Sequence, residues 1–360
     1  MPEPIADLGA IINMQIRQHG PISVASYMGL ALTHPRKGYY KHGTSIGAAG
    51  DFITAPEISQ MFGELIGFFF VNLWQQMAAP KPVTLLELGP GRGTLMADIL
   101  RVATRAPGFA EAASVELFET DPVLLAEQRT KLEAYHPTWI QNFDLAADSP
   151  LLVIANEFFD ALPIRQFVRG KDGWHERMIG LRDDKRVFGL SPTPIPTASL
   201  PEQVRDAPEG AVYEAGLAAS EVMKRLAAAV SRRGGAILAI DYGYAPTQTG
   251  ETLQAVRNHA YADPLDAPGE TDLSAHVDFG ALGDIARAAG LAAHPLANQG
   301  DFLKDLGITA RAAALTKANP GAAADVNAAL DRLTSPAQMG TLFKAFCAAS
   351  PGLAPQGFAE

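Results

Sequence analysis

Apolar residues along the first stretch recur at helical spacing. Ile5, Leu8, Ile11, Ile12, Met14 and Ile16 predict a helix over residues 5–19. A second helix is expected over 22–32, followed by a long loop punctuated by Pro35, Gly38, Gly43, Gly47 and Gly50. The helical period returns over 56–78, with Pro56 near its start. From residue 83 the pattern changes. Short apolar runs at 83–88, 115–118 and 151–155, and a weaker one at 138–141, read as strands. They are separated by helical stretches at about 93–105 and 122–134. Strands alternating with helices imply a parallel sheet covered on both faces.

Residues 165–190 break the alternation. The turn-like segments Gly170-Lys171-Asp172-Gly173 and Asp183-Asp184-Lys185 separate strand-like runs and predict an antiparallel meander. Residues 191–210 hold five prolines and read as a surface linker. A helix at about 212–232 and a strand at 236–240 resume the core. A loop-rich insertion over 242–275, a helix near 277–289 and a strand near 291–297 follow. The Ala-rich stretch 308–333 is expected to be helical. A final strand at about 342–348 would close the sheet, in a direction the pattern leaves open.

Composition narrows the function classes. With 48% hydrophobic and 19% charged residues, 360 residues can bury a sizeable core. The formal net charge of −10 and the lack of any Lys/Arg run argue against nucleic acid. One cysteine, Cys347, excludes an intrachain disulfide and a cysteine-built zinc site. The histidines form no metal-binding spacing, so no metal is expected. The most apolar run, 65–71, is too short for the roughly 20 residues a membrane helix needs. With an acidic, non-basic N-terminus, the expectation is a cytoplasmic protein without membrane insertion.

The chemistry begins at Glu87-Leu88-Gly89-Pro90-Gly91-Arg92-Gly93-Thr94. The chain leaves a buried strand, turns on glycines and enters a helix, so backbone can approach a ligand closely. A dinucleotide fingerprint would be G-x-G-x-x-G, and here the glycines are at 89, 91 and 93. Glu87 would also repel a pyrophosphate. S-adenosylmethionine carries an ammonium and a sulfonium instead, which a carboxylate suits. Glu119, at the end of the second strand, can accept hydrogen bonds from ribose hydroxyls; the alternative is a solvated helix-entry residue. Glu87, Gly89, Gly91, Gly93, Glu119 and Asn156 are therefore the candidate cofactor residues.

The fourth strand ends in Asn156-Glu157-Phe158-Phe159-Asp160-Ala161-Leu162-Pro163, at the rim where α/β sheets bind ligands. Glu157 and Asp160 are the catalytic candidates: they could hold a cationic acceptor and take its proton, or they could cap local structure. Asp241 ends a later strand at the same rim. His276 and Asp278 open a helix and are expected to cap it. The polar loop before the 56–78 helix, with Asp51, Thr54 and Glu57, is expected to fold over the cofactor as a lid and help form the acceptor site. A plain helix entry capped by Thr54 is its alternative.

At these residues the sequence resembles the MidA family of S-adenosylmethionine-dependent methyltransferases. The matching stretches are Gly50-Asp51-Phe52-Ile53-Thr54-Ala55-Pro56-Glu57 through Glu64, the glycine motif, 155–163 with Gln166-Phe167, 257–260, 272–279, and 299–308 in part. The resemblance covers about residues 20–348. It implies an α/β fold, a Rossmann-like methyltransferase core with a mainly parallel sheet, an N-terminal helical segment and inserted segments. The expected organisation is an N-terminal helical segment and cofactor lid (1–80), core (81–164), inserted β meander and linker (165–210), core (211–241), loop-rich insertion (242–276) and the C-terminal part of the core with a helical insertion (277–360). It also implies protein arginine methylation, with a respiratory complex I subunit as the acceptor in the family's best-described type. Two other readings are a non-catalytic cofactor-binding assembly factor for a respiratory complex and a nucleotide-dependent dehydrogenase. The intact glycine loop weighs against the first and the glycine spacing against the second.

Overall fold

The structure, a computed structural model, describes residues 7–41, 54–141, 145 and 148–358. The chain opens with α1 (Leu8–His19), a short strand β1 (Ile22–Ser23) and α2 (Val24–Thr33). After the loop come α3 (Ala55–Ile58) and α4 (Gln60–Gln76). The expected single helix over 56–78 is thus two, because Ser59 is extended (φ −162°, ψ 137°) and its hydroxyl accepts from Met61 N–H to start α4.

The alternation follows: β2 (Val83–Leu88), α5 (Thr94–Ala103), α6 (Phe109–Ala112), β3 (Ala113–Phe118), α7 (Pro122–Leu132), β4 (Thr138–Ile140) and β5 (Leu151–Asn156). The meander forms as β6 (Arg165–Arg169), β7 (Trp174–Arg182) and β8 (Lys185–Leu190), all antiparallel neighbours. The expected helix at 212 begins late. Residues Val212–Ala215 form β9, all four buried and paired to β6, and α8 (Leu217–Arg233) starts only after Gly216. A β-branched and an aromatic residue at the start of this stretch fit a strand better than a helix.

The core then returns with β10 (Gly235–Tyr244). The loop-rich insertion contains a small antiparallel sheet of β11 (Gln254–Arg257), β12 (Ala260–Tyr261) and β13 (Asp272–Ser274). Next are β14 (Val277–Asp278), α9 (Phe279–Ala288), β15 (Ala292–Ala293), β16 (Ala297–Asn298) and α10 (Gln299–Asp305). The Ala-rich stretch is two helices, α11 (Ile308–Ala318) and α12 (Ala323–Thr334), broken at Asn319-Pro320-Gly321. Proline lacks the N–H and the geometry to continue a helix. α13 (Met339–Leu342) and β17 (Phe343–Ala349) end the core.

Among the described residues the main sheet runs β4–β3–β2–β5–β10–β17, with β15 and β16 beyond β17. The first five strands are parallel; β17 is antiparallel to β10, which settles the direction left open above. The chain moves outward from β2 to β4 and then returns to the other side of β2 at β5. That reversal opens a crevice above the carboxyl ends of β2 and β5, where α/β sheets place ligands. Residues of α4, α5 and the C-terminal helices pack one face, and those of α8 and α9 the other.

Packing across the first face is close. A Cβ at Gly63 would lie 2.5 Å from Asp98 Cβ, so glycine there lets α4 and α5 touch. Glu64, next along α4, accepts from Arg311 Nε at 2.7 Å and Nη2 at 3.1 Å, tying α4 to α11. In the stretch ending at Gly63-Glu64 these two residues therefore serve the scaffold.

Candidate functional site

Gly89, Gly91 and Gly93 adopt left-handed φ values of 63°, 52° and 75°. Any other residue would be strained through this turn from β2 into α5. A Cβ at Gly89 would also lie 3.0 Å from the Phe158 ring, which packs edge-on against Phe118 and Phe159. The glycine loop is thereby pressed against the residues that follow β5.

Thr54, Glu57, Glu87, Gly89, Gly91, Asn156 and Glu157 line one cavity over the ends of β2 and β5. Seven residues singled out in the sequence are thus brought together. Thr54 sits at the N-cap of α3, the place the helix-entry alternative gave it, although its side chain makes no capping bond. Asp51 lies outside the described residues. Gly93, Glu119, Asp160 and Asp241 do not line this cavity. Gly93 is the helix-entry residue of α5 and faces Gln128 and Leu132.

Two acceptors in the cavity are enclosed and lack a hydrogen-bond partner among the described residues: Glu87 Oε2 and Asn156 Oδ1. Burial, then the nearby Glu119 carboxylate, push Glu87 up to about 8. A buried carboxylate oxygen without a donor is costly, even though the Met96 N–H also reaches this carboxyl. The α-ammonium of S-adenosylmethionine is a donor of the charge and kind this corner lacks. The residues present therefore fit the cofactor.

Glu119 is turned toward its own helix entry. Its Oε1 accepts from the N–H groups of Thr120 (2.7 Å) and Asp121 (2.8 Å), so it serves the helix entry as the alternative had it, but as a buried residue and not a solvated one. Its Oε2 accepts from Gln128 Nε2 at 3.2 Å, and the same nitrogen donates to Gly91 O at 2.6 Å. Gln128 Oε1 in turn accepts from Trp139 Nε1 at 2.8 Å. Gln128 is completely buried and links the glycine loop to the second strand end. Its role was missed, although a glutamine in register with Leu124 and Leu132 on one helix face was visible. Pro56, Pro90, Arg92, Thr94 and Leu95 also line the cavity and were not singled out.

Beyond β5 the chain turns sharply, with Glu157 at φ 51°. Such a backbone is uncommon outside glycine and has to be held by its surroundings. Asp241 Oδ2 accepts from the N–H groups of Phe159 (3.0 Å) and Asp160 (3.1 Å), and its Oδ1 from Tyr242 N–H (2.9 Å). The structure thus gives Asp241 a backbone-capping role in this turn. Glu157 Oε1 accepts from Ala55 N–H at 3.0 Å and Asn156 Nδ2 at 3.1 Å, joining the start of α3 to the end of β5.

Burial raises Glu157 to about 7, opposed by its hydrogen bond from Ala55 and reinforced by Asp160. Asp160 is likewise raised to about 7 by burial, and Asp241 lies well above its usual range for the same reason and because of Asp160 and Glu157. Asp278 caps α9 as expected, accepting from Ala281 N–H at 3.0 Å. His276 does not cap; its ring lies nearly parallel to Tyr242, with centroids 6.1 Å apart. Among the described residues no cluster of metal-ligand type occurs, and no helix is long and apolar enough to cross a membrane.

Comparison with known proteins identifies the family and the cofactor. A sequence model of a family of S-adenosyl-L-methionine-dependent methyltransferases matches residues 65–296. The zebrafish (Danio rerio) protein arginine methyltransferase NDUFAF7, mitochondrial, is 35% identical over 370 residues, covering 93% of this chain and 87% of its own. The human (Homo sapiens) protein of that name is 34% identical, covering 95% and 83%. A Burkholderia thailandensis crystal structure bound to S-adenosyl-homocysteine superposes with a TM-score of 0.84 at 27% identity, covering 98% of this chain and 92% of that one. The cofactor of this chain is S-adenosylmethionine, and the chain belongs to the MidA family of S-adenosylmethionine-dependent methyltransferases.

Proposed function

We propose that this methyltransferase modifies the guanidinium of an arginine in a protein acceptor. One observation carries the reading. Glu157 lines the cofactor cavity, Asp160 follows it in the same turn behind the lining, and among the described residues neither has an ion-pair partner. Enclosed carboxylates without a cation are unfavourable, and a cationic acceptor relieves that cost. The relatives named protein arginine methyltransferases support the choice of cation.

The cofactor supplies an electrophilic methyl group on a sulfonium. Glu87 and Asn156 would hold its ammonium and Gly89 and Gly91 would bring backbone against it, while Glu119, bound to its own helix entry and to Gln128, would reach the ribose only by giving up one of those bonds. Gly93 shapes the turn that makes this possible. Arginine stays charged at neutral pH, with a pKa above about 12. The attacking nitrogen must therefore lose its proton during or after transfer. Glu157 and Asp160 accept that proton and orient the guanidinium, and burial has moved both toward the operating pH, where general bases work best. Thr54 and Glu57 close the cavity from the lid side, with Asp51 belonging to the same segment.

The acceptor in this reading is a subunit of respiratory complex I, as the family resemblance implies, and the chain acts in the cytoplasm. The test is incubation of the protein with labelled S-adenosylmethionine and an extract of its own cells, followed by mass spectrometry. Label on an arginine of one protein supports the reading. Label on lysine, a carboxylate or a small molecule overturns it, and no label at all favours the non-catalytic assembly role.

A further inference from the structure

The amino-acid end of S-adenosylmethionine carries an α-carboxylate besides its ammonium. The cavity over β2 and β5 is lined by three carboxyl side chains, Glu57, Glu87 and Glu157. Among its described lining residues one cation stands against them, Arg92. Arg92 lies between Gly91 and Gly93 in the loop itself. Its Nε donates to Glu127 Oε2 at 3.0 Å, and neither Nη group has a partner among the described residues. Both side chains of that pair are exposed, at 44% and 39%, so it is screened by water and weakly held. Immediately after Arg92 the chain enters α5. The N-cap, Gly93, has no side chain to take up the first N–H groups, and Thr94 and Leu95 of that first turn line the same cavity. Lys131, on the neighbouring α7, donates to Thr94 Oγ1 at 2.7 Å and does not line the cavity.

A carboxylate placed among carboxylates is repelled unless a cation meets it. A guanidinium holds five N–H donors in a planar fork, so it can keep Nε on Glu127 and turn its Nη groups to a second carboxylate. The free N–H groups at a helix start favour the same charge. We propose that Arg92, together with the first N–H groups of α5, receives the α-carboxylate of the cofactor and makes the site select an intact amino-acid end. Arg92 is then a cofactor-binding residue and takes no part in methyl transfer. This rests on the amino-acid end of the cofactor lying in this cavity, where Glu87 Oε2 and Asn156 Oδ1 await a donor.

The test is calorimetry on the whole protein, at one pH, with three ligands: S-adenosyl-homocysteine, the same molecule without its carboxylate, and the same molecule without its amino group. The wild type is expected to bind S-adenosyl-homocysteine about tenfold or more tighter than the decarboxylated analogue, the scale of a charge-assisted hydrogen bond. Arg92→Gln should weaken S-adenosyl-homocysteine by that factor and leave the decarboxylated analogue nearly unchanged, so that the preference collapses. Arg92→Lys should recover part of the preference, and Lys131→Met should keep all of it. The thermal melt of the free protein should stay the same in all three variants. A preference that survives in Arg92→Gln overturns the inference, and so does one that disappears in Lys131→Met. Equal weakening of both ligands in Arg92→Gln makes the residue structural and overturns it as well. A wild type that prefers S-adenosyl-homocysteine over the deaminated analogue alone overturns the carboxylate assignment and leaves the ammonium at Glu87. A wild type without preference over either analogue overturns both.

Discussion

The side-chain amide of Gln128 donates to the carbonyl oxygen of Gly91 at 2.6 Å, from a helix 37 residues further along the chain. The middle glycine of the cofactor loop is thus held by a buried side chain as well as by its own backbone preference. Gln128→Leu keeps similar bulk and strands Gly91 O and Trp139 Nε1 without their partner. Unsatisfied buried groups cost about 1–3 kcal/mol each. Chemical denaturation should show a loss of that size, and calorimetry a weaker affinity for S-adenosylmethionine. Unchanged stability would mean that these bonds are replaced by water.

Gly91→Val should abolish cofactor binding with the fold preserved. At φ 52° a β-branched residue is strained, and its side chain would occupy the face of the loop that lines the cavity. Calorimetry with S-adenosylmethionine, alongside circular dichroism as a fold control, checks both halves. Normal affinity in this variant would place the cofactor elsewhere.

Cofactor affinity should depend on pH through Glu87. Its carboxyl is raised from 4.5 to about 8 by burial, and the ammonium needs it ionised. Binding below pH 8 must then release a proton, so affinity climbs between about pH 6 and 8, by at most about tenfold per unit. The free protein shows the opposite trend. A carboxyl whose folded pKa is raised gives stability that is present below its unfolded value and is lost as pH rises through the folded one. The melting temperature without cofactor should therefore fall between about pH 4.5 and 8 from this group. Glu87→Gln should flatten both profiles, and a profile unaffected by the substitution would assign the titration to another group.

Glu157→Gln and Asp160→Asn separate chemistry from cofactor binding. Loss of an acid–base partner typically costs about 10²–10⁴ in rate. Single-turnover rates on the acceptor found by labelling should fall on that scale, and cofactor affinity should change little. If affinity collapses together with rate, these carboxylates belong to the cofactor pocket. If neither changes, they are local caps.

Much of the sheet was legible from periodicity because its strands are buried on both faces and read as short apolar runs between turn residues. The 83–88 and 151–155 runs lie within β2 and β5, all but Asn156 of which is buried. Residues 212–215 were misread because four residues of strand run directly into a long amphipathic helix, and only pairing with β6 distinguishes them. Gln128 was passed over for a related reason. A polar residue on an apolar helix face has no visible partner until Gly91, Glu119 and Trp139 are folded around it.

By itself the sequence determined the alternation of strands and helices, the glycine turn out of β2 and the carboxylate that precedes it. Each of these depends on residues adjacent along the chain, where apolar spacing and backbone freedom act locally. Only the tertiary structure decided that Asp241 caps the turn after β5, that Ala55 on α3 meets Glu157, and that Tyr40 meets Asp272 across 232 residues. Hydrogen bonds form between groups a few ångströms apart whatever their separation along the chain, and that proximity is set by how the layers pack.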